Sequence, residues 1–212
     1  MRKRGKKMEC SRKEEIANAI THGLGVLLSI PASILLLFSA SSDSLRVVSF
    51  TVFGVSMILL YVCSTLLHSF FWHKWKRIFQ ILDHSAIFLL IAGTYTPFTL
   101  LLLRGALGWT LFGIIWGLSA VGIMLKVFFV DRFVILSTVV YIAMGWLAVI
   151  AIRPLYDALY PFGFFLLVGG GILYTVGALF FLWRKLPYHH AIWHLFVLGG
   201  SAMMYCCVLF YV

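Results

Sequence analysis

Apolar residues run in blocks of about 20, the length an α-helix needs to cross the hydrocarbon of a bilayer. Between charged or turn-forming breaks, the blocks fall at residues 17–40, 46–71, 78–103, 108–130, 133–152, 158–183 and 188–211. The breaks are short: Ser41–Leu45, Trp72–Arg77, Arg104–Leu107, Asp131–Arg132, Arg153–Asp157 and Arg184–Pro187. None is large enough to fold outside a membrane. The pattern predicts an all-α, polytopic membrane protein, with a basic tail over 1–15 and one seven-transmembrane helix bundle over 16–212.

Composition agrees. Charged residues are 11% of the chain, against about a quarter in soluble domains. Hydrophobic residues reach 62%, more than 212 residues can bury within themselves. The net charge of +10 would elsewhere suggest nucleic acid, but its distribution excludes that role. Seven of the 17 basic residues (Arg2, Lys3, Arg4, Lys6, Lys7, Arg12 and Lys13) precede the first apolar block. Lys74, Lys76, Arg77, Lys126, Arg132, Arg184 and Lys185 fall on the same side of the bundle, and only Arg46, Arg104 and Arg153 on the other. Fourteen cations against three put the N-terminus in the cytosol and Val212 outside. The tail then reads as a topology signal at the cell membrane, with anionic lipid as its neighbour.

A basic start before an apolar run also has the order of a signal peptide. The run over 23–38 exceeds the usual ~7–15 residues and opens on polar side chains, so it reads as a retained first span. Cys10, Cys63, Cys206 and Cys207 show no CxxC spacing, and the last three read as small buried residues.

The seven histidines then change the picture. His22 opens span 1, His68 and His73 close span 2, His84 opens span 3, and His189, His190 and His194 open span 7. All of these ends face the cytosol. His73 and His189 sit at the edge beside basic residues, where an imidazole is simply interfacial, and His84 suits a cap or packing role. His194 lies about 10 Å inside span 7 and His68 about 5 Å inside span 2, at ~1.5 Å rise per residue. Asp83 is five residues into span 3. Ionisable groups at such depth are costly unless paired, metal-bound or solvated.

His190 and His194 are four apart and share a helix face, as do Ser64 and His68. Three imidazoles from two helices with a carboxylate nearby match a zinc centre that keeps one position open for water. The same residues also suit a buried polar network that ties helices together in lipid. Spacing alone leaves both open.

Several segments resemble the bacterial hemolysin III family, part of the superfamily of progestin and adiponectin receptors and alkaline ceramidases. They are Glu15-x2-Asn18-x3-His22, Ser64-Thr65-Leu66-Leu67-His68, Asp83-His84-Ser85-Ala86-Ile87-Phe88 running on to Ala92-Gly93-Thr94-Tyr95-Thr96-Pro97-Phe98, Tyr141 to Trp146, and Leu186-Pro187-Tyr188-His189-His190-Ala191-Ile192-Trp193-His194. The resemblance covers nearly the whole chain after the tail. It implies Zn2+ near the cytoplasmic side with His68, His190 and His194 as ligands, Asp83 holding the water and Ser64 close by. Leu67 departs from the pattern, since Tyr is common before the span-2 His, and this alters the lining rather than the metal set.

Three functions are then in view. The first is an intramembrane zinc-dependent hydrolase, with Asp83 and Ser64 as catalytic residues and a membrane lipid entering sideways as substrate; the ceramidase branch implies a ceramide-like amide. The second is a membrane-perturbing hemolysin, as the family name implies, although a pore former that inserts from solution needs a soluble state. The third is a receptor-like protein with a structural zinc, or a zinc transporter. Three histidines in one leaflet mark a site but not a path across.

Overall fold

The computed structural model describes residues 11–40, 43–70 and 74–212. Cys10, His73 and the five basic residues before Cys10 lie outside these. The helices are α1 (Arg12–Ser39), α2 (Ser44–Ser69), α3 (Lys76–Pro97), α4 (Gly105–Phe129), α5 (Val134–Gly145), α6 (Ile152–Leu182) and α7 (His189–Tyr211). A π-helical turn, Phe98–Leu103, extends α3, and a 3-10 segment, Trp146–Ala151, joins α5 to α6. Among the described residues there is no strand, and seven helical segments are long and apolar enough to cross a membrane.

Local chemistry explains where these segments start and stop. α1 begins five residues before the apolar block, within the stretch read as tail, because Ser11 and Glu14 form a capping box. Glu14 N–H donates to Ser11 Oγ (3.3 Å) and Ser11 N–H donates to Glu14 Oε2 (2.8 Å). Asp43 Oδ1 caps α2 by accepting from Leu45 N–H at 2.9 Å. Pro97 brings no N–H to the ladder at the end of α3, and the turn that follows closes with Arg104 N–H on Thr99 O.

The fifth reversal differs from the sequence reading. Helical conformation continues through Arg153–Asp157, where a break was expected. Trp146 Nε1 donates to Thr175 Oγ1 at 3.0 Å, so the chain doubles back between them, and Pro161 stands near the midpoint of that stretch. The two crossing segments are accordingly Val134–Leu159 and Pro161–Leu182. Arg153 and Asp157 are exposed at the end of the bundle, where charge is solvated without a loop.

α1 is built inside out. Its buried residues are Glu15, Asn18, His22, Gly25, Ser29, Ser33 and Leu36, one stripe of mostly polar and small side chains at helical spacing. Ile20, Leu27, Leu35 and Phe38 on the other side are exposed, as a lipid-facing surface requires. Small residues also set the α1–α2–α3 spacing: a Cβ on Gly54 would run into Ser33, and one on Gly93 into Ser56. The half of the bundle away from the basic breaks is closed by a dry core, with Leu36, Phe50, Phe53, Phe98, Leu111 and Val208 all buried.

Reporter fusions at Met1 and Val212 are expected to report opposite sides of the membrane, the N-terminal one cytosolic. Two fusions on one side would overturn the seven-crossing topology.

Candidate metal centre

The polar stripe of α1 meets the ends of α2 and α7 at the basic end of the bundle. His68 is in the last turn of α2, 6% exposed, and His194 is fully buried one turn after His190 on α7. The three rings converge: centroids are 4.9 Å apart for His68 and His190, 5.3 Å for His68 and His194, and 4.6 Å for His190 and His194. One ring nitrogen from each lies within 4.8 Å of the other two. In all three residues Nε2 is buried and has no protein hydrogen-bond partner.

The opposite nitrogens decide what those Nε2 atoms are. His68 Nδ1 sits 2.6 Å from Glu15 Oε2, both side chains being buried. An ionised carboxylate only accepts, so Nδ1 carries the proton and Nε2 presents its lone pair. The Asn18 amide is 3.5 Å from the same Nδ1, too far to compete. His194 Nδ1 faces Asn18 O at 3.2 Å and Thr21 Oγ1 at 2.9 Å. Thr21 gives its own proton to Ala17 O and Asn18 O, so both neighbours accept from His194 Nδ1. Its Nε2 is again a free lone pair. Carboxylate or carbonyl behind the imidazole, with the far nitrogen bare, is the arrangement that raises the basicity of a metal-ligating histidine.

The residues present therefore fit a divalent cation. Unpaired nitrogens in a lipid-surrounded bundle cost about 1–3 kcal/mol each, and three converging lone pairs of intermediate softness suit zinc with one position left open. Ser64 and Asp83 complete the surroundings. Ser64 is fully buried one turn before His68, and Asp83 is 1% exposed on α3, facing Ser64, His68 and His84. Ser64 Oγ and both Asp83 oxygens have no protein partner beyond each other.

The structure thus brings His68, His190, His194, Asp83 and Ser64 together. His84 and His189 stay outside the trio, and the carbonyl of His84 accepts from Tyr141 Oη at 3.0 Å. His22 is fully buried and stacks face to face on His194, centroids 3.4 Å apart and 13° from parallel. It holds that ring from behind rather than offering a fourth nitrogen to the trio.

Residue spacing gave no role to Glu14, Glu15, Asn18 or Thr21. Glu14 Oε1 accepts from the N–H of Tyr188, the left-handed residue (φ 56°) that starts α7. This ties the N-terminal turn of α1 to the turn that aims His190 and His194. Glu15, Asn18 and His22 were visible in the sequence as polar residues on one face of an apolar helix. Their target on α2 and α7 was not.

Purified protein is expected to hold about one zinc per chain by elemental analysis. His68→Ala or His194→Ala should lose most of it, since two imidazoles hold zinc weakly, while His189→Ala and His73→Ala should keep it. Glu15→Gln should weaken zinc binding by about 10–100-fold, the usual cost of losing such a partner. Full occupancy in both ligand variants would refute the three-histidine set.

The chain is similar to known proteins along nearly its whole length. Residues 10–205 match the family described as Haemolysin-III related. The chain is 66% identical over 202 residues to Hemolysin-3 of Bacillus cereus, covering 94% of this chain and 92% of that protein. It is 63% identical over 201 residues to the Hemolysin-3 homolog of Bacillus subtilis (strain 168), covering 94% of each. Similarity reaches the monocyte to macrophage differentiation factor of Homo sapiens, 27% identical over 92% of this chain and 83% of that protein. The chain belongs to the haemolysin-III related family of multi-pass membrane proteins.

Proposed function

We propose that this protein is a zinc-dependent lipid hydrolase of the cell membrane, acting on an amide or ester bond of a lipid in the cytosolic leaflet. The observation that carries the reading is the set of groups without protein partners in one place: three imidazole nitrogens, a buried carboxylate and a buried hydroxyl. A network that served only to tie helices together would satisfy its own members. This one leaves free the atoms that chemistry uses.

Bound there, zinc supplies a Lewis acid for a carbonyl and lowers the pKa of water at its open position. The protein's own groups do the rest. Glu15 and the acceptors around Thr21 hold His68 and His194 in the tautomer that binds metal. Asp83, whose carboxylate has Ser64 as its one close hydrogen-bonding neighbour, takes a proton from water and returns it to the leaving group. Ser64 offers a hydroxyl beside it, as a donor to developing negative charge. The apolar core of the opposite half closes the bundle on that side, which suits a substrate approaching from the cytosolic leaflet.

Membrane lysis is a second reading, favoured by the name Hemolysin-3 of the Bacillus cereus relative. In that reading, or in a receptor-like one, the zinc only ties α2 to α7.

The test is lipid profiling of membranes carrying wild type, Asp83→Asn and His194→Ala. Asp83→Asn is expected to keep its zinc, keep its fold and lose turnover, because an amide of the same shape cannot take the proton. A product present in wild type and missing from both variants is the expected outcome. Identical profiles across all three remove the enzyme.

A further inference from the structure

His22 gives the metal centre no nitrogen, yet its ring lies closer to His194 than any other ring among the described residues. It is fully buried on α1, one turn beyond Asn18 and on the same face. Asn18 O takes the Nδ1 proton of His194 in the plane of that ring, and His22 covers the ring's face. One helix thus fixes both the direction and the tilt of a ligand.

Two observations set the stack apart. Both nitrogens of His22 are buried without a protein partner, so hydrogen bonding within the protein does not explain the residue. Nor does His22 line the apolar cavity that α3, α5, α6 and α7 enclose with Lys126 of α4. No acid pairs with it among the described residues, and a buried imidazolium without a counter-charge is costly, so the ring is neutral.

The second observation is the shape of the contact. Centroids 3.4 Å apart and planes 13° from parallel leave almost no lateral offset, because atoms in contact are already about 3.5 Å apart. Neutral rings avoid such a sandwich, since their negative faces repel, and prefer edge-to-face or offset contact. The surrounding pairs follow that preference: His22 meets Tyr61 at 76°, His190 meets His194 at 73°, and His68 meets His194 at 64°. A sandwich turns attractive when one of its rings carries positive charge. His194 acquires that charge when its free Nε2 is given to a cation.

We propose that His22 is a positioning residue whose ring face, rather than its nitrogens, stabilises His194 in its metal-bound form. The stack is unfavourable in the metal-free protein and favourable once a cation is held, so it adds to metal affinity without supplying a ligand. This rests on the metal reading of the trio but not on hydrolysis, which can fail without touching it.

The test compares His22→Leu, His22→Gln and His22→Phe with wild type, each as full-length protein in detergent. Zinc affinity is read by competition with a chelator, and stability by thermal unfolding with and without zinc. His22→Leu fills the space without an aromatic face and should lower zinc affinity about tenfold. Its metal-free form should be as stable as wild type or more so, while the stability added by zinc shrinks in step with affinity. His22→Gln keeps hydrogen-bonding groups and should lose affinity as His22→Leu does. His22→Phe keeps the face and should stay within about threefold of wild type. Either unchanged affinity or lower metal-free stability in His22→Leu overturns the proposal, whether or not His22→Phe folds. So does an affinity kept by His22→Gln and lost in His22→Phe, which would place the role in the nitrogens. A wild type that takes up no zinc overturns it together with the metal reading.

Discussion

The contact between Glu15 and His68 is the constraint on which the rest of the site depends. A carboxylate and an imidazole 2.6 Å apart inside a lipid-surrounded bundle are not free to choose other partners. Their pairing fixes the proton on Nδ1, turns Nε2 toward His190 and His194, and registers α1 against α2. Glu14, the preceding residue, closes the capping box of α1 and holds the backbone of Tyr188 at the start of α7. The first turn of α1 therefore brackets three helices. Removing the Glu15 side chain would free a ligand, loosen a helix contact and leave an imidazole proton unsatisfied in one step.

This bracket explains why α1 can turn most of its surface outward and still hold the site together. Its outward side is a wall of Ile, Leu and Phe that any apolar sequence would supply. Its inward stripe is polar or small at nearly every turn, and its members divide the contacts among them. Glu15 and Asn18 meet the histidines, His22 stacks on His194, Gly25 lies beside the Tyr61 ring, and Ser33 packs against Gly54. Polar side chains are tolerated there because neighbouring helices, not lipid, surround them.

The seven crossings were legible because a bilayer demands about 20 apolar residues per helix and punishes charge between the ends. The trio was legible in part, since four-residue spacing within one helix shows a shared face, as with His190 and His194. Contacts between helices have no such signature, which is why Glu15 and Thr21 gained their roles only in three dimensions. The fifth reversal was misplaced for a different reason. Arg153 and Asp157 looked like a loop because they are charged, but charge at a bundle end is solvated on a helix as readily as in a turn, while Pro161 removes a backbone donor. Lys126 was counted as one topology cation among many, and sequence could not reveal that it turns inward.

Asp83 and His84 divide the interior between them. They are consecutive on α3, yet Asp83 belongs to the metal centre with Ser64 and His68, and His84 lines the apolar cavity. Trp193 makes the same division on α7: it lines the cavity and lies next to His194, ring centroids 5.1 Å apart. On both helices, then, neighbouring residues separate the groups of the polar site from those that line the apolar cavity: Asp83 from His84 on α3, and His194 from Trp193 on α7.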